Sequence, residues 1–171
     1  MNAIFIIDKD KKTELSEDLK VKLYKIFDDK GYKNETVEIG KDEVFPCLGC
    51  FQCTTGECVR KDIVYQIRKN VQKYDLTVFL TPILFGHFSS VIKNAIDRGA
   101  GSHNWQVIIG YGSDIDDEEK RTFMDLIAKH RGSADIVHPG MDRCVDVFVT
   151  RFTEDSTAIC EALKKLEIGE G

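Results

Sequence analysis

Four of the six cysteines, Cys47, Cys50, Cys53 and Cys58, fall within the single stretch from Pro46 to Arg60. Their spacing is C-x2-C-x2-C-x4-C. Thiols this close together can converge on one point if the backbone curls. Gly49 and Gly56 permit the curl, because glycine reaches positive φ at no steric cost. Sets of four thiolates are the usual holders of soft metal centres. These four cysteines are therefore the candidate metal ligands of the chain.

Several chemistries fit the spacing. One is a four-iron, four-sulfur cluster. The bacterial ferredoxin run C-x2-C-x2-C-x3-C-P is close to it, but there the fourth cysteine serves a second cluster. Here Cys58 would complete the same site. A structural zinc also takes four thiolates, usually as two C-x2-4-C pairs set further apart. A redox dithiol or a pair of disulfides is a third reading. Loop thiols with no ligand are the fourth. Spacing alone leaves all four open. Cys144 and Cys160 lie on apolar-patterned segments and read as buried, inert thiols.

Composition narrows the setting. The chain has 171 residues, a length suited to a single domain over residues 1–171 with a full-sized core. Its 42% hydrophobic and 31% charged residues are ordinary for a soluble globular protein. A formal net charge of −5 argues against a nucleic-acid partner, since phosphate binding needs a basic face. No apolar run is long enough for a membrane span, so no membrane partner is expected. The start, Met1 to Asp8, lacks a basic region and meets an acid too soon for a signal peptide. A cytoplasmic location is expected, where thiols stay reduced.

The elements that must position the cysteines alternate in type. Ile4–Ile7 is a continuous apolar run, suited to a strand buried on both faces. Thr13 or Ser16 caps a helix to about Lys30, with Leu19, Leu23, Ile26 and Phe27 on one face and Gly31 at its end. Thr36–Ile39 is a weaker strand, and the cysteine-rich loop 46–60 comes after it. Ile63 to Val71 reads as a short helix with Ile63, Ile67 and Val71 inward. Leu76–Leu80 is the clearest strand, and Thr81-Pro82 should stop it. Ser89 or Ser90 caps a helix to Arg98 with Val91, Ile92, Ala95 and Ile96 inward. Val107–Ile109 is a fourth strand. Asp116 to Arg131 reads as a helix with Phe123, Leu126, Ile127 and His130 inward, its charges complementing the macrodipole, and Gly132 as its stop. Asp135–Val137 or Val145–Val149, or both, supply a fifth strand, and Thr153–Leu166 a last helix.

Solid apolar strands alternating with helices imply a parallel sheet covered on both faces. Five such strands fit the doubly wound order 2-1-3-4-5, which places ligands at the carboxyl ends of the strands beside the switch point. Three loops meet there: Asp8–Thr13, Thr81–His87 and Gly110–Asp114. The cysteine loop leaves strand 2 toward the same edge.

Two stretches carry a family resemblance. They are Pro46-Cys47-Leu48-Gly49-Cys50-Phe51-Gln52-Cys53 with Gly56-Glu57-Cys58 and Lys61-Asp62, and Thr81-Pro82-Ile83-Leu84-Phe85-Gly86 followed by Lys93-Asn94-Ala95-Ile96-Asp97-Arg98. With these the chain resembles the NADPH-dependent FMN reductase family, in particular its iron–sulfur flavoproteins. The resemblance implies an α/β fold, a flavodoxin-like three-layer sandwich with a five-stranded parallel sheet. It implies FMN as cofactor, NAD(P)H as electron donor, and an oxidoreductase or electron-transfer role. In such proteins the loop after strand 3 wraps the isoalloxazine ring, here Pro82, Ile83, Leu84, Phe85, Gly86 and His87. Tyr111, Gly112 and Ser113 would meet the ring's edge. Lys9, Lys11 and Thr13 stand on the phosphate side. Cys47, Cys50, Cys53 and Cys58 would hold an iron–sulfur cluster that passes electrons to the flavin. A homodimer or homotetramer, with a redox partner or small-molecule acceptor, is the implied assembly.

The resemblance breaks in two places. Family members open the first strand-to-helix loop with glycine, serine and small polar residues that cradle the phosphate. Here the loop is Asp8-Lys9-Asp10-Lys11-Lys12-Thr13, with two carboxylates where a dianion should sit. The aromatic residue usual near position 84 is leucine. The alternative is a flavodoxin-fold protein that has lost its flavin and serves as a metal-binding or interaction module. Other polar residues have plain structural readings. His87 is a loop histidine, Asp97-Arg98 a pair at a helix end, and Trp105 a pocket or subunit contact.

Overall fold

The computed structural model describes residues 1–54, 56–100, 104–137 and 144–146. Its elements alternate as β1 (Asn2–Asp8), α1 (Glu14–Asp29), β2 (Lys33–Ile39), α2 (Ile63–Asn70), β3 (Leu76–Pro82), α3 (Ser90–Asp97), β4 (Trp105–Tyr111), α4 (Asp117–Val137) and the short β5 (Cys144–Asp146). All strand pairings are parallel, in the order β2-β1-β3-β4, and β5 pairs beside β4 through the three positions Gln106–Ile108. β1 therefore lies inside the sheet, as its unbroken apolar run requires.

The pleat divides the core in two. Ala3, Phe5 and Ile7 face α1 and pack with Leu19, Leu23 and Phe27, and with alternate residues of β3 and β4. Ile4 and Ile6 face the opposite way, into the layer of α2, α3 and α4 with Val64, Ile67, Ile92, Phe123 and Ile127. Phe5 meets Tyr24 and Phe27 edge-on, at centroid distances of 4.8 and 5.4 Å. Burying both faces of β1 and β3 is what fixes their central places. Among the described residues, no helix is long and apolar enough to cross a membrane.

The helix caps match the sequence reading. Thr13 and Ser16 form a reciprocal capping box at α1, and Ser89 Oγ caps α3 through Ile92 N–H. Several expectations need correction. β3 runs through Pro82, which pairs with Tyr111. Ile83 N–H donates to Tyr111 O at 2.8 Å, so the proline nitrogen turns the other way, toward β1, whose pairing with β3 ends at Leu80. The proline therefore removes no ladder bond. Gly132 does not stop α4, which continues to Val137, so Asp135–Val137 is helical and not a strand. One glycine costs a helix interior only about 1 kcal/mol, less than the helical bonds beyond it return. In α2 it is Val64 that is buried, with Ile63 only partly so. The side chains of Trp105 and His130, the helix expected over 153–166 and Cys160 lie outside the described residues, as does most of Val145–Val149.

The cysteine loop is held to this frame by one buried ion pair. Arg98, at the C-cap of α3, pairs with Asp62, the N-cap of α2, rather than with its neighbour Asp97. Asp97 instead pairs with Lys93 one turn back, at 2.5 Å. Arg98 Nη1 also donates to Phe45 O at 3.1 Å, and Nη2 to Arg60 O at 3.1 Å. Asp62 accepts the N–H groups of Phe45 and Tyr65, at 3.1 and 3.2 Å. Both ends of the loop thus close on one guanidinium. Arg60 also lies over the Phe45 ring, 5.2 Å from its centroid. Burial pushes the Asp62 pKa up, but Arg98 and the two N–H donors outweigh it and hold the carboxyl below its ordinary value.

Asp62→Asn leaves the guanidinium buried without a counter-charge, and is expected to cost about 3–5 kcal/mol in urea denaturation at neutral pH. A depressed folded pKa adds stability that is complete above the unfolded carboxylate value of about 3.9 and is lost as pH falls through the folded value. The gap between wild type and D62N should therefore narrow below about pH 4. A gap that is constant with pH, or a variant as stable as wild type at pH 7, contradicts the anchor.

Candidate functional site

A cleft of about 410 Å³ opens where β3 and β4 end and α1 begins. It gathers eight of the sequence-predicted residues: Thr13, Pro82, Ile83, Leu84, Phe85, Tyr111, Gly112 and Ser113. Lys9, Lys11, Gly86 and His87 are not on its wall. Lys9 is turned to Glu43, at 2.7 Å, and Lys11 offers its carbonyl to Tyr111 Oη at 3.2 Å. His87 is exposed.

The wall after β3 is a two-residue turn. Leu84 and His87 exchange backbone hydrogen bonds of 2.9 and 3.0 Å, and the central residues Phe85 and Gly86 have φ of 52° and 73°. Positive φ at both central positions is the type I′ geometry. Gly86 is required twice over, since a Cβ there would stand 2.6 Å from Thr122 Cβ on α4. The base of the loop is stapled by Ser89 N–H to Thr81 Oγ1 at 3.0 Å and by Phe88 packed edge-on against Phe123 at 5.2 Å. The result is a rigid loop that presents Phe85, 90% exposed, at the lip of the cleft. A bulky residue in this region of φ is strained, and such strain gathers at ligand clamps. The aromatic missing at position 84 is thus found one residue later.

The opposite wall is β4 and its exit. Tyr111 is buried, and burial, with Asp8 and Glu17 near, pushes its hydroxyl up to about 12 against an opposing bond to Ser16. It is a fixed donor, not a proton relay. Leu15, Asp114, Ile115 and Glu119 complete the wall. Leu15 and Ile115 were missed as site residues. Ile115 is the one apolar residue between Gly112 and Thr122, and that isolation was the available signal.

The cysteine loop is built differently. Cys47, Cys50, Cys53 and Cys58 are free thiols, the first two exposed. Gly49 supplies the curl at φ 64°, but the second positive φ falls on Phe51, at 55°, and not on Gly56 as expected. The expected convergence is absent: among the described residues, no three His, Cys, Asp or Glu side chains stand together so as to hold a metal ion. The loop's hydrogen bonds explain the spread. Cys47 Sγ accepts Gly49 N–H at 3.4 Å, while Cys58 Sγ accepts Arg98 Nη2 at 3.7 Å. Burial raises the Cys58 thiol, but Arg60 N–H and Arg98 outweigh it and hold its pKa below the ordinary value. By type the four thiols suit a thiolate-bound centre, and Cys58 is the one held by a guanidinium.

The two ends of the cleft differ in their fit to a flavin. The turn at Phe85 and the edge at Tyr111–Ile115 fit a planar ring. The β1–α1 loop does not offer a phosphate cradle: it folds into a single 3-10 turn, Lys9–Lys11, with Asp8 accepting Asp10 N–H.

The sequence profile of the NADPH-dependent FMN reductase family matches residues 8–113. An iron–sulfur flavoprotein of Archaeoglobus fulgidus is 35% identical over 68 residues, 40% of this chain and 34% of that protein. One of Methanocaldococcus jannaschii is 31% identical over 71 residues, 41% of this chain and 37% of its own length. The matches thus span about a third of these curated relatives. Among solved structures, an NAD(P)H:quinone oxidoreductase from Methanothermobacter marburgensis superposes with a TM-score of 0.65 at 11% identity, covering 96% of this chain and 94% of that one. Flavodoxin 1 from Bacillus cereus gives a TM-score of 0.54 at 9% identity, with 98% of each chain covered. The last two share the fold, which is flavodoxin-like α/β with a parallel sheet. With 8–113 matched, the cysteine loop and nine of the cleft's twelve lining residues lie inside the family region, Asp114, Ile115 and Glu119 falling just beyond it, and the chain belongs to the NADPH-dependent FMN reductase family.

Proposed function

We propose that this protein is a flavin-dependent oxidoreductase or electron-transfer flavoprotein whose isoalloxazine ring lies in the cleft between the Leu84–His87 turn and the Tyr111–Ile115 segment. The observation that carries the reading is Phe85, a strained and almost fully exposed aromatic held rigidly at the cleft's lip. Pro82, Ile83 and Leu84 would flank the ring, with Gly112 and Ser113 at its edge. A bound flavin would supply hydride and electron transfer, with NAD(P)H as donor, and the protein's part is to bind and orient it. The arrangement is set in a five-stranded 2-1-3-4-5 sheet, a reading supported by the ladder between β4 and Cys144–Asp146.

The same reading takes Cys47, Cys50, Cys53 and Cys58 as ligands of an iron–sulfur cluster. Its support is the donor set, the curled backbone and the name borne by the curated relatives. Loading would draw three thiols toward Cys58. A homodimer or homotetramer belongs to this proposal, with the exposed Leu48 and Phe51 as apolar surface a second copy could cover.

Phe85 and the cysteines can be tested separately. Phe85→Gly removes the strain of a side chain in the left-handed region, and should stabilise the fold by about 1–2 kcal/mol. The same change removes the stacking face, worth about 0.5–1.5 kcal/mol, and should weaken flavin binding roughly threefold to tenfold by fluorescence quenching. Unchanged affinity would remove Phe85 from the site. For the cysteines, anaerobic reconstitution with iron and sulfide should load the wild-type protein in preference to zinc. Cys50→Ser should abolish iron incorporation while leaving the far-ultraviolet circular dichroism intact. Equal iron in that variant, or none in wild type, would overturn the cluster reading.

A further inference from the structure

The charged residues on the cleft's lining are all acidic. Two carboxylates, Asp114 and Glu119, are on its wall, and none of its lining residues is lysine, arginine or histidine. The loop that joins β1 to α1 adds to this. Asp8 is 1% exposed; its Oδ1 takes the Asp10 N–H at 2.9 Å, while its Oδ2 is buried with no partner. A buried carboxylate oxygen left free is an acceptor waiting for a donor.

Several of the groups that would otherwise greet an anion are already engaged. Lys9 pairs with Glu43 at 2.7 Å, and Lys12 with Glu38 at 2.6 Å. At the start of α1, the capping box uses the Thr13 and Ser16 amides: Thr13 N–H donates to Ser16 Oγ at 2.8 Å and Ser16 N–H to Thr13 Oγ1 at 3.1 Å. Glu17 N–H donates to Thr13 O at 3.1 Å. A phosphate using the Thr13 or Ser16 amide would have to displace the cap. Asp8 lies buried at the start of the same loop, off the cleft's wall, and its charge adds to that of Asp114 and Glu119 on the wall. Lys11 is exposed and remains the loop's nearest offset to that charge.

We propose that this cleft selects flavins with an uncharged ribityl end, so that riboflavin binds at least as tightly as FMN. The inference rests on the flavin reading above and names the ligand class within it. Riboflavin ends its ribityl chain in a hydroxyl, a neutral donor that suits the acidic wall. A phosphate brings a dianion, which that wall opposes. Asp8, Asp114 and Glu119 act as specificity determinants by repulsion, a way of rejecting one ligand without improving another.

The test is a set of equilibrium titrations by fluorescence quenching with riboflavin, FMN and lumichrome, which carries the ring alone. The quantity read is the ratio of the FMN to the riboflavin dissociation constant. It should be one or greater in wild type at low salt, and should fall as salt screens the carboxylates. In Asp8→Asn the ratio should drop by about tenfold, the loss of one close like-charge contact. Asp114→Asn with Glu119→Gln changes only exposed or half-exposed positions. It keeps the test decisive if the buried Asp8 variant fails to fold, and should move the ratio the same way. FMN binding tenfold or more tighter than riboflavin in wild type would overturn this inference while leaving the flavin reading intact. A ratio unmoved by salt and by both variants would overturn it as well. Lumichrome, riboflavin and FMN all failing to bind would instead overturn the flavin reading and this inference with it.

Discussion

The Asp62–Arg98 ion pair is the contact on which the functional half of the chain depends. Its partners lie 36 residues apart in sequence. It joins the N-cap of α2 to the C-cap of α3, and its spare donors close on Phe45 and Arg60 at the two ends of the cysteine loop. A buried charge pair is a weak source of net stability, because desolvation offsets the attraction. Its effect here is on arrangement. It ties both ends of a glycine-containing loop, whose thiols are exposed at Cys47 and Cys50, to the frame of the fold. It also sets Cys58 against a guanidinium, so one thiol of the four is already biased toward its ionised form.

The cleft obeys a different logic, in which local conformations are fixed by crowding. Gly86 lies where a side chain would strike α4, and Gly112 where one would strike Ile115. Those contacts hold the turn in place and leave Phe85 outside, in a conformation that costs free energy. Stability and binding therefore pull against each other at this residue, as is common at sites. The β1–α1 loop, with two aspartates and three lysines, forms no phosphate cradle, but it is well built in its own terms. It is capped at both ends and laced by Lys9–Glu43 and Lys12–Glu38.

Much of the frame was legible in the sequence because it rests on local rules. Ile4–Ile7 and Leu76–Leu80 announce double burial by composition, and Thr13 and Ser89 announce caps by type. The residues of the cleft were legible because they sit at strand ends. The parts that were not legible depend on distant partners. Arg98 beside Asp97 looks like a local pair, and only the packing of α3 against α2 sends it to Asp62. Pro82 looks like a strand stop until its nitrogen is seen to face the finished edge of the β1 ladder. Gly132 looks like a helix stop because glycine's local preference is blind to the helical turn beyond it, which runs on to Val137. The placing of the cysteines was hidden for the same reason: spacing gives reach, but Gly49 N–H holds the Cys47 sulfur and Arg98 the Cys58 sulfur.

The most direct test of the flavin cleft is a crystal structure of the protein grown with riboflavin under anaerobic conditions. Ring density is expected between the Leu84–His87 turn and the Tyr111–Ile115 segment, with Phe85 on one face and the ribityl chain running toward Thr13 and Asp8. Ring density at any other place on the molecule, or a cleft that stays empty at saturating ligand, would contradict it.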